Sequence, residues 1–65
     1  MVKLNGKEVS IAGEISLDNL LVDQGYPAER IAVELNGEII MKPQYSQTYI
    51  KDGDTLEVVS FVGGG

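Results

Sequence analysis

Asp52-Gly53-Asp54-Thr55-Leu56-Glu57-Val58-Val59-Ser60-Phe61-Val62 is the stretch on which the fold turns. Asp-Gly-Asp reads as a tight turn, since Gly accepts a positive φ and Asp stabilises the turn through its own backbone. A calcium loop needs more oxygen ligands at defined spacing, including a distal Glu, so Asp52 and Asp54 are not read as metal ligands. Beyond the turn, Thr55–Val62 reads as the final strand. By period two, Leu56 and Val58 share one face while Val59 and Phe61 share the other. A single helix covers only one of those faces. Either the strand is central and buried on both sides, or Val59, Phe61 and Val62 form an exposed apolar patch of the kind that receives a partner.

Upstream, two Asn-Gly pairs mark hairpins, because a type I′ turn needs positive φ at both central residues. Asn5-Gly6 joins Met1–Leu4 to Lys7–Ile11, and Asn36-Gly37 joins Ile31–Leu35 to Glu38–Ile40. Ile31, Val33 and Leu35 alternate onto one face. Between the hairpins, Leu17, Leu20 and Leu21 recur at helical spacing, with Ser16 placed to cap the helix and Gly25 to close it. Lys42–Thr48 reads as a brief helical turn with Pro43 near its start. The order is β-β-α-β-β-β. The fold class is therefore α+β, a mixed four- to five-stranded sheet with one main helix packed on one face. Placing the last strand centrally, parallel to the first, gives the β-grasp arrangement.

Sixty-five residues make one domain with a modest core. Cysteine and histidine are both absent. That removes thiolate nucleophiles, Cys/His zinc sites and the usual general base near neutral pH. No catalytic residue and no metal or cofactor site is read in this chain, so its chemistry belongs to a partner. Ten acidic residues against five basic ones give a net charge of −5. Lys3, Lys7, Arg30, Lys42 and Lys51 are scattered and form no basic stripe for nucleic acid. The acidity suits a basic protein partner, or serves only to keep a small protein dissolved. Apolar runs stop at three residues, as in Leu20-Leu21-Val22, so no membrane span and no secretory leader are expected. The cytoplasm is the expected compartment.

After Val62 come Gly63, Gly64 and Gly65. Glycine offers nothing to pack, so residues 1–62 are expected to form the domain and 63–65 a flexible tail. Extended, the tail carries the Gly65 carboxylate about 10 Å beyond the strand. Lacking Cβ atoms, it suits a narrow channel beside a nucleotide. Transfer of AMP from ATP turns that carboxylate into a mixed anhydride, and a sulfur nucleophile displacing AMP leaves a thiocarboxylate. An inert chain end is the competing reading.

Residues 51–65 resemble the end of the thiamine-biosynthesis sulfur carriers, the ThiS family, in the Asp-Gly-Asp turn, the apolar-acidic-apolar strand and the terminal Gly-Gly. Ala32-Val33-Glu34-Leu35-Asn36-Gly37-Glu38-Ile39-Ile40, Tyr45-x-x-Thr48 and Ser16-Leu17-x-x-Leu20-Leu21 resemble that family as well. The resemblance implies a ubiquitin-like β-grasp fold. It also implies an E1-like adenylyltransferase that uses ATP and magnesium to adenylate Gly65. Sulfur then comes from cysteine through a cysteine desulfurase, and thiazole synthase is the acceptor. The Gly-Gly end is shared with the molybdopterin-synthase small subunit and with ubiquitin-like modifiers. A carrier for the molybdopterin precursor, or an interaction module with an inert tail, is therefore the alternative.

Overall fold

A computed structural model describes residues 1–61. Chain order is β1 (Val2–Leu4), β2 (Lys7–Val9), β3 (Ile15–Ser16), α1 (Leu17–Asp23), a 3-10 turn at Ala28–Arg30, β4 (Ile31–Leu35), β5 (Glu38–Ile40), a 3-10 helix at Lys42–Gln47, β6 (Tyr49–Ile50) and β7 (Thr55–Ser60). Five strands form one sheet in the order β2-β1-β7-β4-β5. The last strand is central, parallel to β1 (Leu4 beside Leu56) and antiparallel to β4 (Val33 beside Val58). This is the β-grasp arrangement that the element order predicts.

Both Asn-Gly pairs make their hairpins. Asn5 and Asn36 adopt φ of 52° and 51°, followed by Gly6 at 83° and Gly37 at 89°. An amide side chain tolerates this left-handed region, and glycine enters it freely. One face of the sheet then meets α1. Leu17, Leu20 and Leu21 bury completely against Val2, Leu4, Ile31, Val33, Leu56 and Val58. Seven residues are too few for a helix that stands alone, so this burial holds it in place. Each buried leucine contributes about 1.5–3 kcal/mol. Gly25, at φ 83°, ends the helix, its N–H donating to Val22 O (3.1 Å) while Tyr26 N–H donates to Leu21 O (2.8 Å). That doubly bonded exit is the Schellman geometry.

Three local expectations are corrected. Ser16 sits at the N-cap position but makes no capping bond through its side chain. It belongs to β3, and the neighbouring Leu17 N–H is taken by Thr48 O at 2.7 Å. The second strand ends at Val9 rather than Ile11, because the chain bends away and Gly13 takes φ 72°. A small second sheet, β3 paired with β6 (Ile15 beside Ile50), lies outside the anticipated strands. Val62 and Gly63, Gly64 and Gly65, with the boundary between domain and tail, lie outside the described residues.

Candidate functional site

The sheet has one covered face and one open face. Strand β7 buries Leu56 and Val58 under α1 and turns Glu57 and Val59 outward. Val59 is 61% exposed and Phe61 60%. Two of the three residues of the apolar patch reading, Val59 and Phe61, are thus exposed, and Val62 lies outside the described residues. With only one helical layer, nothing in the described residues lies over the second face.

Cross-strand register fixes the neighbours on that face. Val59 stands opposite Ala32, and Glu57 stands opposite Glu34, which in turn faces Ile39 on β5. Phe61, Ala32, Ile39 and Met41 contribute to the wall of a hollow of about 270 Å³, which Ile31 and Tyr45 of the core line as well. The site therefore combines an apolar lobe around Phe61 and Ile39 with an acidic pair beside it. Ile39 and Met41 were not singled out from the sequence, although a signal was present. Two consecutive isoleucines in a three-residue strand cannot both face the core. Glu34 opposite Glu57 could be found only once the register was known.

Main-chain geometry at β7 is set by the two turn asparagines. Asn36 Nδ2 donates to Asp54 Oδ1 (3.0 Å), and Asn36 Oδ1 accepts from Thr55 N–H (2.9 Å). Asn5 Nδ2 donates to Val58 O (3.1 Å) and also lies 3.3 Å from Tyr26 Oη. Its Oδ1 accepts from Val58 N–H at 2.7 Å. The Asn5 amide thus bonds Val58 much as a peptide unit would, whereas the Asn36 amide joins one strand N–H to the Asp54 carboxylate. Asp54 is buried, and burial alone raises a carboxyl pKa. Bonds from Lys51 N–H (2.9 Å) and Asn36, with the Lys51 ammonium 3.8 Å away, outweigh that and hold it below the usual range. Its environment is that of a turn anchor, in line with the sequence reading. Burial pushes the Tyr45 phenol upward, and that ring packs in the core.

Among the described residues, no group of three or more Asp or Glu side chains is placed to hold a metal ion. No helix among them is long and apolar enough to cross a membrane. Of the residues singled out from the sequence, Val59 and Phe61 are brought together on the open face. Val62, Gly63, Gly64 and Gly65 follow them in the chain, outside the described residues.

Comparison with known proteins places this geometry. A crystal structure of the thiamine biosynthesis protein ThiS from Geobacter metallireducens superimposes with a TM-score of 0.85 at 36% identity, covering 98% of this chain and 97% of that one. The sulfur carrier protein ThiS of Bacillus subtilis is 38% identical over 66 residues, spanning the full length of both chains. A thiazole synthase from Paramagnetospirillum magneticum is 40% identical over 62 residues, which are 95% of this chain. The chain spans only 19% of that synthase's length. The sequence model of the ThiS family matches residues 2–65. By family match, sequence and ubiquitin-like β-grasp fold together, the chain belongs to the ThiS family.

Proposed function

We propose that this protein is a sulfur carrier of thiamine biosynthesis, a protein substrate for partner enzymes rather than a catalyst. The observation that carries the reading is the match to a sulfur carrier protein along the full length of both chains. In this reading Gly65 is the reacting residue. A carboxylate oxygen attacks the α-phosphorus of ATP, held with magnesium by an E1-like adenylyltransferase. The bond to the β-phosphate breaks and pyrophosphate leaves. Persulfide sulfur, taken from cysteine by a desulfurase, then attacks the acyl carbon and the bond to AMP breaks. A thiol reductant cleaves the S–S bond of the resulting acyl disulfide and is itself left as a disulfide. The product is a thiocarboxylate, which passes its sulfur to thiazole synthase. A synthase that carries, within its own longer chain, a stretch resembling nearly all of this one supports that choice of acceptor.

The open face supplies what docking needs. Val59, Phe61 and Ile39 are apolar, exposed and adjacent to the strand that leads toward Gly65. Val62 is assigned to the same partner surface. Gly63 and Gly64 serve as a spacer without side chains, narrow enough to enter an active-site channel.

Intact-mass spectrometry tests the reading. Incubation with the cognate adenylyltransferase, ATP, magnesium and a sulfur donor should shift the mass by the exchange of oxygen for sulfur. Appending residues after Gly65 converts its carboxylate into an amide and should abolish the shift without unfolding the domain. A folded, extended protein still adenylated at the unmodified rate would place the reaction elsewhere.

A further inference from the structure

Among the described residues, the hydrogen-bonding directions of β7 leave the ladder position at Ser60 open. On one side, Asn36 N–H donates to Thr55 O (2.8 Å), and Phe61 N–H, just past the strand, donates to Arg30 O (3.0 Å). The odd-numbered residues therefore turn their main-chain groups toward β4. Alternation turns those of Leu56, Val58 and Ser60 the other way, toward β1. Three bonds agree with this. Asn5 N–H donates to Leu56 O (2.9 Å), and the Asn5 amide takes both the N–H and the C=O of Val58.

Beyond that point β1 has ended. The chain reverses at Asn5-Gly6 into β2, and β1 pairs with β7 only at Thr55 and Leu56. No described residue meets the N–H or C=O of Ser60 on this side. Among the described residues, Asn5 fills the last covered slot and Ser60 is the first left open. A groove of about 380 Å³, walled by Leu4, Asn5, Lys7, Val9, Gln24 and Tyr26, adjoins Asn5.

What would occupy the slot follows from the sequence beyond it. Gly63, Gly64 and Gly65 offer a partner no side chain to recognise. Such a segment is gripped through its N–H and C=O groups, and an adjoining extended strand presents those groups at matching intervals. We infer that the Ser60 edge of β7 receives an extended backbone segment of the activating enzyme, which pairs with Ser60 and starts the ladder that holds the tail. The inference rests on the proposed carrier function.

Ser60→Pro removes the N–H and blocks an approaching strand. It spares the β4 pairing, because Ser60 points away from β4. An ester at the Val59–Ser60 linkage, accessible by chemical synthesis at this length, deletes the same N–H without a ring. Ser60→Ala leaves the backbone intact. With the cognate adenylyltransferase and ATP, pyrophosphate release from Ser60→Pro and from the ester should show kcat/KM lower by about tenfold, the effect of one lost hydrogen bond in a closed site. Ser60→Ala should match the unmodified protein, with all variants folded by circular dichroism. In the complex, exchange of the Ser60 amide should slow relative to the free protein. Unchanged kcat/KM in the ester, or unprotected Ser60 in the complex, overturns the inference. So does finding that the edge pairs two copies of this chain while loading is unaffected. Failure of the unmodified protein to be adenylated at all would instead overturn the carrier reading.

Discussion

The two Asn-Gly turns have the same sequence and nearly the same backbone angles, yet their side chains grip opposite ends of one strand. Asn36 closes a hairpin whose inner strand runs antiparallel to β7, so the turn lies beside the start of β7. Asn5 closes a hairpin whose inner strand runs parallel to β7, so its turn lies farther along. One amide is thereby delivered to Thr55 and the buried Asp54, the other to Val58. Strand direction, not the dipeptide, decides what each asparagine does. The first fixes the entrance to the central strand. The second marks where the domain stops covering it.

The sharpest way to break this comparison is to truncate both amides. Asn36→Ala removes a left-handed residue and a partner of a buried carboxylate, and should destabilise the domain by about 3 kcal/mol. Asn5→Ala should cost about 2 kcal/mol, since its partners, the Val58 peptide groups and the Tyr26 hydroxyl, are all neutral. Asn5→Gly keeps the turn conformation and loses only the amide, at about 1 kcal/mol. Urea denaturation ranks the three, and equal losses at the two asparagines would erase the distinction.

A smaller effect separates the two ends by pH. Asp54 titrates below its ordinary value in the folded state. Its contribution is fully present above the unfolded carboxylate pKa of about 3.9 and is lost as pH falls through the depressed folded value. The urea midpoint should therefore drop over that acid window, and Asp54→Asn should flatten the drop. Asn5→Gly should leave its shape unchanged.

The smallest expected change to the fold lies on the open face. Phe61→Ala should alter stability by no more than about 0.5 kcal/mol, because the ring is exposed. Binding to the activating enzyme should weaken by about 2 kcal/mol, as for an aromatic anchor. A lowered melting temperature with unchanged affinity would show the ring serving the domain rather than a partner.

Much of this was legible because local chemistry was strong. Asn5-Gly6 and Asn36-Gly37 allow few conformations, and Leu17, Leu20 and Leu21 leave the helix one face to bury. The central place of β7, parallel to β1, came from the element order and the need for one short helix to cover the core. Whether Val59 and Phe61 were covered could not be read, since a central strand and a docking strand share one pattern. Strands β3 and β6 are two residues each, too short to carry any period. The exchange of a Ser16 cap for a bond from Leu17 N–H to Thr48 O is tertiary, and propensity is blind to it.

Glu34 and Glu57 give the open face an unusual response to dissolved salt. They stand directly opposite on neighbouring strands, both exposed, at positions where like charges repel. Ordinary surface ion pairs weaken as ionic strength rises, but screening here relieves a repulsion. The Debye length shrinks from about 30 Å at 0.01 M salt to about 8 Å at 0.15 M. The isolated domain should thus tighten as salt is added.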